Sequence, residues 1–337
     1  MRLLDRVAQS CTPVILKPNE ASNETFVVTG SNHFSALVAA CPLRYVLGDD
    51  LTRASAELAF ADGARLADCM DLLRIPSPLM WVEWSDAIHK QVIYETGFSG
   101  SFDEESSTRR VGVLIQGGVG GRQAVLRTFW MDKVAYEAAE VILSPLETLI
   151  DLTGEFTQNA VFGEMQSSGL LRVCDDACET MSALLEHVRF RFDQRWAAYY
   201  RAAATTQDAQ RTVVSGSLAA VARDGPLLLG FFLLLMAKDA TRSISISRGR
   251  VNLKRYVNGH RPLLDHIEVN ASLETLVTSD TSTVGTPIRQ SPRLHHVRGH
   301  LVRREHQVFW RVPHLRGSAS RGLVHSRTIC LSYRRTP

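Results

Sequence analysis

The sequence predicts an α+β protein, with a mixed helix and antiparallel-sheet front half, a helical middle and a small basic β module at the C-terminus. Three observations predict it. Arg110 to Gln116 and Gln123 to Met131 have the composition of paired strands flanking a glycine-rich turn. Cys174, Cys178, Met181, Leu185, Val188, Phe192 and Trp196 recur at helical spacing. Arginines crowd into the last residues, between short runs of strand composition. At 337 residues the chain exceeds one typical domain. The expected division is a front domain over residues 1–153, a mainly helical domain over 154–274, a linker over 275–290 and the basic β module over 291–337.

Taken in order, Thr25 to Thr29 reads as a strand before the Gly30-Ser-Asn turn. A helical stretch follows from His33 to Leu47, which Pro42 ends or kinks midway. Thr52 suits the N-cap of a second helix reaching Leu73, with Ala59, Leu66, Met70 and Leu73 on one face. Leu79 to Trp84 reads as a strand and the residues from there to Glu95 as an exposed segment. Gly97 to Ser107 is a polar loop. The glycines at 117, 118, 120 and 121 sit after a strand, as in phosphate-binding loops. No Gly-Lys-Ser/Thr and no helix follows, so the hairpin-loop reading prevails. Val141 to Leu146 adds a strand or short helix, and the polar stretch from Gly154 to Gly169 marks the domain boundary. Helix is expected over Val173 to Ala204, with His187 an ordinary core-edge histidine. Gly225 to Ala237 is an apolar run with Pro226 in its first turn. Its thirteen residues fall short of the roughly 20 that span a bilayer. It reads as a buried core helix. Asn252 to Asn258 forms a short basic helix with Gly259 as its left-handed C-cap. Leu263 to Leu273 reads as a strand, and Thr275 to Gln290 as a flexible linker.

The C-terminal segment carries the unusual chemistry. Residues 288–337 hold eleven arginines, no lysine and one acid, Glu305. Those eleven belong to a chain total of 38 basic and 35 acidic residues, so 27 basic and 34 acidic residues lie ahead of them. An acidic body thus joins a strongly basic end, which suggests an anionic partner. His296 to Arg303, Gln307 to Val312 and Leu323 to Tyr333 read as a three-stranded meander with arginines on one exposed face. A guanidinium grips phosphate oxygens bidentately and stacks on rings. Arg298, Arg303, Arg304, Arg311, Arg316 and Arg327 are the expected phosphate contacts, with Trp310 as a stacking platform and Phe309 and Tyr333 as further aromatic surfaces. Lys254 and Arg255 extend this footprint. A solvated basic face that docks on the acidic body explains the same residues.

The pattern Arg298-Gly-His300, Phe309 to Gly317 and Ser326-Arg-Thr328 resembles the C-terminal part of a group of uncharacterised phage- and prophage-encoded proteins. Asn252 to Asp265 is similar to their Asn-x-x-Arg-x-x-x-Gly-x-x-Pro-Leu segment, and Trp81-Val-Glu-Trp84 resembles a strand of their front half. The Trp-to-Gly segment is poorer in aromatics here than in the group. The resemblance implies a mobile-element origin and supplies no activity.

Other chemistries fare worse. Six of the eleven histidines lie in the tail, at 295, 296, 300, 306, 314 and 325, but without Cys-x-x-Cys spacing, and no metal or cofactor is expected. Cys174 and Cys178 lack nearby ligand partners and read as packing. Glu83 between Trp81 and Trp84 invites a general-acid reading; against it, the carboxyl simply points away from Trp84. Gly-x-Ser-x-Gly and His-Glu-x-x-His are absent. Six scattered cysteines and an N-terminus without an apolar core point to a cytoplasmic protein with no membrane partner. The leading expectation is a non-enzymatic phage or mobile-element accessory protein that binds DNA or RNA through its tail. The alternative is a protein-interaction or assembly protein whose tail docks on an acidic protein surface.

Overall fold

The computed structural model describes residues 2–9, 13–16, 26–29, 33–96, 110–131, 141–153, 187–192, 221–272, 293–297, 300–304, 307–311, 314–316 and 318–323. Their order is α1 (Leu3–Gln9), β1 (Pro13–Leu16), β2 (Phe26–Thr29), α2 (His33–Ala40), β3 (Leu43–Leu47), α3 (Asp49–Phe60), α4 (Gly63–Ala67), β4 (Leu79–Ser85), α5 (Asp86–Glu95), β5 (Arg110–Gly117), β6 (Gln123–Met131), β7 (Val141–Asp151), β8 (Val188–Phe192), α6 (Asp224–Met236), β9 (Thr241–Ile246), α7 (Gly249–Val257), β10 (His266–Ala271), β11 (Arg293–Val297), β12 (His300–Arg304), β13 (Gln307–Arg311), β14 (His314–Arg316) and β15 (Ser318–Leu323).

The protein is α+β. Eight strands form one mixed sheet in the order β8-β7-β6-β5-β4-β3-β10-β9. β3 runs parallel to β4 and β10, and the remaining neighbours are antiparallel. Both faces are covered. Leu3, Leu4, Phe34 and Val38 of α1 and α2 pack against Val46, Trp81, Leu114 and Phe129 on one face. Residues of α3 to α6 pack against Tyr45, Leu47, Met80, Val82, Trp84 and Val113 on the other. A strand buried on both faces reads as an unbroken apolar run, which is why Leu-Met-Trp-Val-Glu-Trp can be a central strand. Gly112 makes room for the indole beside it: a Cβ there would lie 2.2 Å from Trp81 Cζ2.

Several expectations hold. β5 and β6 pair across a hairpin whose turn uses Gly120 and Gly121 at φ 84° and 65°. α6 is a core helix, buried without interruption from Asp224 to Leu234. No helix among the described residues is long and apolar enough to cross a membrane. α7 runs to Val257 with Asn258 at its cap, and Gly259 follows at φ 69°, the left-handed residue expected after the helix.

Others are corrected. α2 stops at Ala40, and Leu43 to Leu47 is a parallel strand rather than the end of a helix. Backbone bonds to β4 and β10 outweigh the local helical pattern there. The next helix begins at Asp49, not at Thr52. Asp49 and Asp50 occupy its first turn, and the Thr52 hydroxyl instead donates to Gly48 O at 2.9 Å. The stretch after β4 is helical, and α5 buries His89, Val92 and Ile93. Val188 to Phe192, expected in a helix, is an edge strand paired with β7. β8, β9 and β10 join the sheet started by β3 to β7, so residues from both sides of the expected boundary at 153/154 build one sheet. In the tail, β12 and β13 form a hairpin, while β11 pairs with β14 and β15 in a separate sheet. The helix from Val173, the linker over 275–290 and most of the third meander strand lie outside the described residues.

Glu83 and His89 are among the polar groups buried in this frame. The Glu83 carboxylate, fully buried, accepts from Leu3 N at 3.2 Å, Leu4 N at 2.9 Å and the Arg110 guanidinium. It anchors the start of α1 to the sheet. On the opposite face, His89 stands edge-on to Trp84 with its Nδ1 3.9 Å from Asp224 Oδ1. Asp224 accepts from Thr128 Oγ1 at 3.3 Å. Thr128 sits between Arg127 and Phe129, where the β6–β7 register shifts.

Burial pushes the His89 imidazole down to about 4, with Arg223 and Lys90 adding to the effect and Asp86 opposing it. The unfolded chain therefore binds a proton between the ordinary value of 6.5 and about 4 that the folded chain refuses. Stability is expected to fall as pH drops through that window, by about 3 kcal/mol for this group alone. Urea midpoints measured across pH 4 to 7 check it. His89→Gln should flatten the acid side of the profile, and an unchanged profile would refute the assignment.

Candidate nucleic-acid interface

The β12–β13 hairpin has two chemically different faces. Leu301 pairs with Trp310 and Arg303 with Val308, so alternation puts these four side chains on one face. Leu301 is buried, and Val308 and Trp310 pack against the main core. The Arg303 guanidinium grips Asp71 bidentately, at 2.9 and 2.8 Å, and also donates to Asp68 O. That hydrogen bond holds the Asp71 carboxyl below the usual carboxylate range. The backbone adds Lys238 N donating to Val308 O at 3.4 Å. Cys69, buried beside Asp71 and Arg303, has its thiol pushed up by burial.

The other face carries His300, Val302, Arg304, Gln307, Phe309 and Arg311. Arg304 and Arg311 are exposed, and Phe309 lies between them, half-buried. The expected contacts thus separate. Arg303 and Trp310 turn to the protein's own body, and Arg304 and Arg311 turn away from it. Arg316 lies on β14, across from His295. Arg298 and Arg327 lie outside the described residues.

Lys254 and Arg255 lie on α7, which buries no residue. Lys254 is exposed, whereas Arg255 Nε donates to Arg261 O at 2.8 Å. Asn252 clamps the helix from behind, donating to Leu263 O at 2.8 Å and accepting from Leu263 N at 2.7 Å. Arg250, outside the tail and not among the expected contacts, shares the exposed face of this helix. The signal was present: residues 238–261 hold seven Lys and Arg against one acid, Asp239.

No group of three His, Cys, Asp or Glu side chains suited to a metal gathers among the described residues. His314 faces Val297 across β11 and β14, with His296 one step along. The Glu83 oxygens are occupied by backbone N–H groups and Arg110, which is a structural role and leaves nothing for acid catalysis.

Fold and surface together define an α+β protein with exposed cations on the β12–β13 hairpin and on α7. No protein-family model, curated protein or solved structure matches the chain.

Proposed function

We propose that the chain is a non-enzymatic accessory protein of a phage or mobile element that binds nucleic acid through its arginine-rich C-terminal segment. The observation that carries this reading is the outward hairpin face, where Arg304 and Arg311 flank Phe309. Two guanidiniums with a ring between them suit phosphates and a base. The phage origin rests on the resemblance of the residue patterns around Arg298, Asn252 and Trp81 to the phage-encoded group.

A second reading, docking of the tail on an acidic protein surface, draws on the Arg303–Asp71 pair, in which the tail already engages the body. The two readings assign different residues, since Arg303 faces inward and Arg304 and Arg311 do not.

Binding of a labelled oligonucleotide across a salt series tests the proposal. The logarithm of affinity should fall linearly with that of salt, and Arg304→Ala with Arg311→Ala should reduce the slope by about two. Absence of binding at low salt would end the nucleic-acid reading.

A further inference from the structure

We propose that α7 is a duplex-binding element that enters the major groove of B-form DNA, an inference that rests on the nucleic-acid reading above and locates a second contact surface. The helix connects β9, the edge strand of the large sheet, to β10, and none of its residues is buried. Leu253, Tyr256 and Val257 are 68%, 82% and 77% exposed. A globular protein rarely leaves a helix so uncovered without a use for it.

The helix is nevertheless held. Asn252 and Arg255, one turn apart, bond back to Leu263 and Arg261, which fixes the rear of α7 and aims the opposite side outward. Two parallel stripes occupy that outward side. Arg250 and Lys254 are four residues apart and form a cationic stripe. Leu253 and Val257, also four apart, form an apolar stripe beside it. No acid lies on α7.

Charge complementarity selects a polyanion, because the segment from Lys238 to Arg261 carries seven cations against one acid. The apolar stripe then distinguishes among polyanions. A major groove about 12 Å wide admits an α-helix, and it displays the thymine methyl to apolar side chains. Arginine meets guanine there. The A-form RNA groove is too narrow for a helix and lacks that methyl. B-form DNA therefore uses both stripes at once, with Arg250 and Lys254 on phosphates and guanine edges and Leu253 and Val257 on thymine methyls.

The test compares fluorescently labelled DNA duplex, RNA duplex of matching sequence and single-stranded DNA, each titrated with the full chain and with Arg250→Ala/Lys254→Ala. The substituted residues are exposed, so thermal unfolding should confirm an unchanged fold. The expected result is a preference of about tenfold or more for the DNA duplex, lost in the variant together with about two units of salt slope. Leu253→Ser should erase the preference for DNA over RNA duplex while leaving the salt slope in place. Unchanged duplex binding in the Arg250/Lys254 variant would overturn the inference while the hairpin reading stands, provided Arg304→Ala/Arg311→Ala still weakens binding. Binding of phosphatidylserine vesicles without DNA binding, lost in the same variant, would overturn it in favour of a bilayer. No binding to any nucleic acid would remove the functional reading as well.

Discussion

Glu83→Ala is expected to cost about 3–5 kcal/mol of folding stability, the range for breaking a buried ion pair from one side. Three donors lose their acceptor together: Leu3 N, Leu4 N and the Arg110 guanidinium. Two of them are N–H groups at the start of α1, which no intrahelical carbonyl can serve. Leu3 and Leu4 are themselves fully buried against Trp81 and its neighbours, so loosening α1 uncovers the part of this sheet face that α2 does not cover. Glu83→Gln keeps one acceptor oxygen and should fall between the variant and the native protein. Urea unfolding measures both. A midpoint for Glu83→Ala within error of the native value would show that α1 is held by its leucines alone.

Gly230→Val should be comparably damaging, for a steric reason. α6 approaches α3 so closely at this point that a Cβ on Gly230 would lie 2.4 Å from the backbone oxygen of Ser55. A backbone atom cannot rotate aside as a side chain can, so the helices must separate. Overpacking of this kind costs about 1–3 kcal/mol and more where backbone must move. The usual gain of up to about 1 kcal/mol from removing a helical glycine is too small to offset it. Gly225 in the same helix supplies the control, because a Cβ there meets nothing closer than 3.5 Å, from Val188 Cγ1. Gly225→Ala should be neutral or mildly stabilising. If both substitutions gave the same thermal midpoint, the close approach of α6 to α3 would be refuted.

Much of this architecture was legible in the chain because it depends on local chemistry. The apolar run after Pro226 specifies a helix surrounded by protein, whatever encloses it. Gly120 and Gly121 adopt positive φ in the hairpin, and Gly259 just after α7, for reasons confined to their own backbone. The Trp81-Val-Glu-Trp84 run identifies a strand. Its alternation already implied that Glu83 and Trp84 face opposite sides.

The errors share one cause. Leu43 to Leu47, Val188 to Phe192 and the helix after Ser85 all have patterns compatible with more than one secondary structure, and long-range partners made the choice. β3 is a strand because β4 and β10 lie beside it, and β8 because β7 does. The cationic surface divides along the same line. The sequence by itself determined that cations concentrate in the tail, with Lys254 and Arg255 beside them, and it placed the tail arginines on one exposed face, whereas the β12–β13 register puts Arg303 and Arg304 on opposite faces. Only the tertiary structure decided that Arg303 and Trp310 face the body while Arg304, Arg311 and the outer side of α7 face solvent. Alternation defines two faces, but which one is buried depends on a surface contributed by residues far away in the chain, here Asp71 and the end of α6.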